Sequence, residues 1–165
     1  MSNMTNPSDA LAGFQSAYID DAISIQRAER YPGVFVHVDQ PNGTTRYTYA
    51  EIQADVVNAV ALLILTEPVE GVPCFQLGYA VREDCRQEGK AHAIVAAAID
   101  EIVVGLSRNG ITNLYVEAVV GRDNVHSHRV AEQALGQKKT DCTDHDTGEP
   151  ASQYLRRFTP GSLGR

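Results

Sequence analysis

The chain has 165 residues, with 14 Lys and Arg against 21 Asp and Glu, for a formal net charge of −7. That length suits one domain of about 100–200 residues. A composition of 43% hydrophobic and 21% charged residues reads as an ordinary soluble globular protein and excludes collagen, coiled coil and intrinsic disorder. Residues 1–80 hold three basic and nine acidic side chains, net −6, and residues 81–165 hold eleven and twelve, net −1. Such a chain lacks the clustered Lys and Arg that non-specific nucleic-acid binding needs.

In chain order, Ser8 or Asp9 can cap a helix after Pro7. Leu11, Phe14, Tyr18, Ala22 and Ile25 recur at spacings of three and four, predicting an apolar face and a helix to about Arg30, with Asp20-Asp21 a candidate break. Pro32-Gly33 stops it. Val34, Val36 and Val38 alternate as in a strand, Pro41-Asn42-Gly43 signals a turn, and Thr44 to about Ile52 reads as the returning strand. The segment Thr48-Tyr-Ala-Glu51 also fits a capping box. Val56–Leu65 is nearly continuous apolar sequence, as for a strand buried on both faces. Glu67–Pro73 is a turn, Cys74–Val81 a strand, and Gly89–Arg108 a long helix with Ile94, Ala97, Ala98, Ile102 and Leu106 on one side. Asn109-Gly110 ends that helix through a left-handed cap. Thr112–Val120 is a strand and Asn124–Leu135 a short helix closed by Gly136. Weaker strands near Lys138–Thr143 and Gln153–Thr159 follow, and the residues from Pro160 read as frayed. A strand–helix–strand unit makes a right-handed parallel crossover. With antiparallel hairpins around it, the class is α+β with a mixed, mostly antiparallel sheet flanked by helices.

The opening segment has neither the basic nor the apolar run of a signal peptide. The longest apolar run, Ala59–Leu65, is far short of the ~20 residues that span a bilayer. Three widely spaced cysteines, Cys74, Cys85 and Cys142, suit a reducing compartment. A cytoplasmic protein without a membrane or nucleic-acid partner is therefore expected. His126-x-His128 with Cys142 and His145 invites a metal reading, but helix positions two apart face different ways and no second ligand pair accompanies them, so no metal is expected. Tyr47-Thr-Tyr-Ala-Glu-Ile52 resembles a short segment of adenylate-forming enzymes, whose phosphate loop is absent. Ser127 beside His128 lacks the elbow motif of a serine nucleophile.

The stretch Gly78-Tyr-Ala-Val-Arg-Glu-Asp-Cys-Arg-Gln-Glu-Gly-Lys-Ala91 holds the most chemistry. A strand ends at Val81, a polar loop follows, and Gly89 opens a long helix. Unpaired N–H groups of the loop and first helical turn, reinforced by the helix dipole, make an anion cradle. Gly89 allows close approach, and Arg86 and Lys90 can add charge. The run Arg86-x-x-Gly89-x-Ala91 after that strand resembles motif A of the GNAT superfamily of acyl-CoA-dependent N-acetyltransferases. The stretch from Glu117 through Asn124 and Ser127 to Leu135-Gly136 resembles motif B. The likeness covers residues 56–136 well, and the closing strands loosely.

The resemblance implies a single GNAT-like domain over residues 1–165. Residues 1–55 would form the substrate side, 56–136 the acyl-CoA core and 137–165 the closing strands, with a splayed parallel strand pair forming the cofactor cleft. It implies acetyl-CoA or coenzyme A as co-substrate, held by Arg86, Gln87, Glu88, Gly89, Lys90 and Ala91 at the pyrophosphate. Val81 would contact pantetheine through its backbone, and Asn124 and Ser127 would lie near the thiol arm. Direct attack by a neutral amine follows, with a general base and a backbone N–H near Val81 polarising the carbonyl. Glu117 is the candidate base; Tyr79 and Tyr154 are candidate acids, since the motif B position that often carries a Tyr is Ala131. The partner is a small-molecule or peptide amine, and an acidic cleft built largely from the first half would suit a cationic one. Homodimers, frequent in the family, are a further expectation. A GNAT-fold acyl-CoA-binding module without turnover is the alternative.

Overall fold

The computed structural model describes residues 6–162. The segment read as lacking a signal peptide lies mostly in residues 1–5, and the end of the tail read as frayed lies in 163–165; both fall outside the described residues. The residues between form one eight-stranded sheet with three α-helices on its faces.

Helix α1 runs Pro7–Ile19. Its cap is Asn6, whose side chain accepts from Ser8 N at 2.9 Å, with Pro7 at the first helical position. The helix does not reach Arg30. Asp21 takes φ +55°, Ala22 N–H donates to Ala17 O and Asp21 N–H to Tyr18 O, the bond pattern of a Schellman stop. The stop falls at Asp20-Asp21, the candidate break of the sequence, with Asp21 in the left-handed position that Gly usually fills. The released chain forms a two-residue strand, β1 (Gln26–Arg27), beside β2 (Val34–Asp39).

Strand β3 spans Arg46–Gln53, so Thr48–Glu51 is strand and not a capping box. Strand β4 (Val56–Val69) is buried from Val57 to Ile64. It outlasts the expected stop at Leu65, because the turn is only Glu70-Gly71, both at positive φ, before β5 (Val72–Val81). A register shift between Thr66 and Val69 accommodates Pro68. Helix α2 (Lys90–Ser107), β6 (Leu114–Gly121), α3 (Val125–Leu135), β7 (Lys139–Thr143) and β8 (Pro150–Phe158) complete the order. Pro160–Ser162 forms a single 3-10 turn.

Strands lie in the order β1-β2-β3-β4-β5-β6-β8-β7, antiparallel except for the β5–β6 pair joined by α2. Side-chain alternation divides the core. Phe75, Leu77, Val116 and Tyr154 pack under α2 and α3 with Ile94, Ile102 and Val130. Val57, Val60 and Ala80 pack with Phe14 of α1 on the other face. Among the described residues, no helix is long and apolar enough to cross a membrane.

The loop between β1 and β2 is strapped to α2. Glu101 accepts the N–H groups of Glu29 and Arg30 at 2.8 and 3.1 Å, and the Tyr31 hydroxyl donates to Asp100. Burial first, then that hydrogen bond, pushes the Tyr31 phenol up to about 12 from its ordinary 10.0. Burial likewise raises Tyr49. Between those values the folded chain holds a proton that the unfolded chain releases. Stability is therefore full below the unfolded value and falls as pH rises from about 10 to about 12. Urea midpoints measured across that window should decline, and Tyr31→Phe should flatten the decline. An unchanged slope in that variant would remove Tyr31 from the account.

Candidate active site

The parallel strands touch briefly. Cys74, Phe75 and Gln76 of β5 pair with Tyr115, Val116 and Glu117 of β6, and no pair follows among the described residues. Beyond that seam β5 stays with β4 to Val81 while β6 stays with β8 to Gly121. The two strands therefore splay, as the resemblance implied, and a cleft of about 1320 Å³ opens at the divergence. Arg82 N–H donates to Asn58 O on β4 at 2.8 Å. By the two-residue alternation of a strand, the backbone groups of Val81, Tyr79 and Leu77 face the opposite way, into the gap. A chain-like ligand can pair there as an added strand.

At the top of that edge lies the loop to α2. Gln87 and Gly89 both have positive φ, +66° and +74°, and Gly89 is the cap of α2. The N–H groups of Gln87, Glu88 and Gly89 meet no protein acceptor among the described residues. Those of Lys90 and Ala91 sit in the first helical turn, where no intrahelical acceptor exists. The segment Arg86–Ala91 thus fits a pyrophosphate through its backbone.

Side-chain charge contributes less than expected. Lys90 Nζ lies 2.7 Å from Glu51 Oε1 on β3, and this hydrogen bond raises the Lys90 pKa. Glu51 Oε1 also accepts from the Asn58 amide at 3.1 Å. Lys90 therefore pins the loop to the sheet. Arg82 lies 2.9 Å from Asp84. Of the three cations, Arg86 alone lacks a carboxylate partner. Its Nε donates to Val81 O at 3.4 Å, which engages that carbonyl and leaves the Val81 N–H. Glu88 is exposed.

Asn124 caps α3, its Oδ1 accepting from Ser127 N at 3.1 Å. Both residues line the cleft, as do Ala131, Tyr79 and Glu117. The Tyr79 and Ser127 hydroxyls meet at 2.8 Å, a bond from β5 to α3 across the divergence. Burial raises the Tyr79 pKa, against the opposing pull of Ser127. Glu117 is half-buried at the seam, opposite Gln76, and its Oε2 accepts from Gln153 Nε2 at 2.5 Å.

Tyr154 is elsewhere. It is fully buried under α3, its hydroxyl 2.7 Å from His128 Nδ1, while His128 Nε2 meets Arg122 O at 3.1 Å. Tyr154 does not line the cleft, so the structure separates the two tyrosines that the sequence offered as acids. Among the described residues, no group of three or more His, Cys, Asp or Glu side chains is placed to hold a metal ion.

The walls also carry residues that sequence reasoning did not single out. Gln76 and Gln153 flank Glu117, while Glu67 of the β4–β5 hairpin and Asp144 and Asp146 of the β7–β8 turn add three carboxylates. No Lys or Arg is among the described residues that line the cleft. The acidic wall therefore comes largely from the second half of the chain, against the expectation that the −6 first half would supply it. The only legible signal was the Asp-rich turn itself; the register that brings it to the cleft is long-range. Cys142 also lines the cleft, and burial, with Glu117, Asp144 and Asp141 nearby, pushes its thiol up. A protonated thiol is a poor nucleophile.

No family model and no curated protein matches the chain. Solved structures do. A putative ribosomal-protein-serine acetyltransferase from Vibrio cholerae aligns at 18% identity with a TM-score of 0.44, over 70% of this chain and 63% of that one. This chain thus spans under two thirds of that protein's length. A GNAT-family acetyltransferase from Bacillus anthracis aligns at 11% identity and a TM-score of 0.50, over 84% of this chain and 100% of that one. The ribosomal-protein-S5-alanine acetyltransferase from Vibrio fischeri aligns at 9% identity and a TM-score of 0.53, over 85% and 100%. At these identities the latter two are likenesses of fold. The chain has the fold of the GNAT acetyltransferases.

Proposed function

We propose that this chain is an N-acetyltransferase that moves an acetyl group from acetyl-CoA directly to a primary amine. The observation that carries the reading is the splay beyond Gln76 and Glu117, on a strand, β5, that runs on into a loop whose backbone N–H groups are unpaired. Arg86 to Ala91 would hold the pyrophosphate, mainly through backbone and helix dipole. The gap-facing edge of Leu77, Tyr79 and Val81 would pair with the pantetheine arm. Asn124 and Ser127 would border that arm from α3.

The chemistry follows from the walls. A neutral amine attacks the thioester carbonyl carbon. A gap-facing N–H of β5 polarises the carbonyl oxygen. Glu117, held by Gln153, takes the proton that the amine sheds. Substrate charge is supported by the lining: four carboxylates, Glu67, Glu117, Asp144 and Asp146, and no Lys or Arg among the described residues. A cleft of one sign concentrates ligands of the other. The acceptor is accordingly a molecule that carries a positive charge beside the neutral amine that reacts, such as a diamine or a cationic peptide.

Thermal melting with and without acetyl-CoA tests the reading. At a hundredfold excess over Kd, binding adds about 2.7 kcal/mol, which at about 2–4 °C per kcal/mol is a rise of roughly 5–10 °C. Thiol release with a panel of amines then reads turnover, and diamines should show lower KM than neutral amines, with the advantage shrinking in salt. No thermal shift at millimolar acetyl-CoA overturns the reading. A shift without thiol release from any amine leaves the acyl-CoA-binding module in its place.

A further inference from the structure

We infer that Asn58 and Glu51 are positioning residues for acyl-CoA binding, a clamp on the β3–β4 pair that holds the shape of the Arg86–Gly89 cradle by gripping the chain on both sides of it; this rests on the acetyl-CoA reading above. Neither residue lines the cleft, so both act through the loop.

The pairing of β3 with β4 slips at one place. Glu51 faces Ala59 and Ile52 faces Val57, so Asn58 is an extra residue with no partner on β3. A bulge of this kind re-aims a side chain. Here it sets an amide, 4% exposed, in the otherwise apolar buried stretch Val57–Ile64. An amide so buried is costly unless its groups are bonded. Its Nδ2 donates to Glu51 Oε1 at 3.1 Å, and its Oδ1 accepts from Cys85 Sγ at 3.5 Å. Its main-chain oxygen accepts from the Arg82 N–H at 2.8 Å.

The ties continue outward from there. Cys85 Sγ accepts from the Arg82 guanidinium at 3.4 Å, and Glu51 Oε1 accepts from Lys90 Nζ at 2.7 Å. Arg82 and Cys85 are thus held on one side of the cradle and Lys90 on the other, and the ties meet at one amide and one carboxylate. Between them lie Gln87 and Gly89, both at positive φ, and the N–H groups of Gln87, Glu88 and Gly89, which meet no protein acceptor among the described residues. Unusual dihedrals and unpaired donors persist where the surroundings fix them. A cradle fixed beforehand spares the ligand an ordering cost of roughly tenfold in affinity for each backbone residue otherwise left free.

The test measures Kd for acetyl-CoA by calorimetric titration of the full chain as wild type, Asn58→Ala, Glu51→Ala and Glu51→Gln, with the melting temperature of each unliganded protein alongside. Asn58→Ala changes no charge and should raise Kd about 10-fold or more. Glu51→Ala should do the same, although it leaves the Lys90 ammonium uncompensated near a polyanion. Glu51→Gln keeps an acceptor oxygen for both Lys90 and Asn58 and should hold Kd within about 3-fold of wild type. In turnover, KM for acetyl-CoA should rise in the two alanine variants while kcat and KM for the amine stay level. If Asn58→Ala melts too low to titrate, the Glu51 pair decides, since that side chain is partly exposed. Tighter binding by Glu51→Ala, or a Kd within about 3-fold of wild type, overturns the clamp and leaves Glu51 a group that only withholds the charge of Lys90. Equal losses in Glu51→Ala and Glu51→Gln overturn it too, because charge and not the bonded frame would then matter. A wild-type chain that does not bind acetyl-CoA strikes the acetyl-CoA reading itself, whereas wild-type binding with unchanged variants strikes the clamp alone.

Discussion

Gly89→Asp should abolish stabilisation by acetyl-CoA while lowering the melting temperature of the unliganded chain by only roughly 2–8 °C. Gly89 caps α2 at φ +74°, and a Cβ built there meets nothing within 4 Å. The fold therefore loses only the cost of a side chain in the left-handed region, about 1–2 kcal/mol, and Asp tolerates that region better than most residues. Binding loses far more. The new carboxylate stands among the unpaired N–H groups of Gln87 to Ala91, where the pyrophosphate must lie. Two like charges about 4 Å apart at an effective dielectric constant near 20 repel by about 4 kcal/mol, close to a thousandfold in affinity. Melting curves at millimolar acetyl-CoA check this. Gly89→Ala, with the same backbone strain and no charge, should retain most of the shift. Wild-type stabilisation of Gly89→Asp would place the cradle elsewhere.

Phe75→Ala costs about 3–5 kcal/mol of stability, a fall of roughly 6–20 °C in Tm at about 2–4 °C per kcal/mol. The sheet is joined across β5 and β6 by three residue pairs, and Phe75 is the central one, opposite Val116. Its ring is 4% exposed and meets the edge of Tyr47 at 5.9 Å. Truncation removes buried area and leaves a cavity where the two halves of the sheet have little else in register. Phe75→Leu, which keeps most of the volume, should cost less than about 1.5 kcal/mol. Denaturant unfolding gives both values. A loss below about 1 kcal/mol for Phe75→Ala would show that α2, and not this ring, holds the seam.

Much of the core was legible because its signals are local. The apolar run of β4, the 3.6-residue pattern of α2 and the Asn124 cap before α3 each follow from the neighbours' own dihedral and burial preferences. The end of α1 was local too, and Asp20-Asp21 marked it as a candidate break, although the same three- and four-residue spacing carries on past it to Ile25. In the site, Gly89 could be placed because positive φ before a long helix has a recognisable residue. The partner of Lys90 could not. Glu51 lies 39 residues earlier, and only the β3–β4–β5 pairing brings it to the loop.

The sequence by itself determined the order of most elements, the loop from β5 to α2 with Gly89 at its end, and the strand–helix–strand core, since periodicity, caps and turn chemistry act within a few residues. The tertiary structure decided how the opening charge asymmetry is used. It gathered Glu67, Glu117, Asp144 and Asp146 on one cleft, turned Lys90 onto Glu51, joined Tyr79 to Ser127 and sent Tyr154 into the core. Those outcomes depend on strand register and on which face of each strand a side chain occupies. A one-residue slip would reverse every face, and no local pattern in this chain records which register is taken.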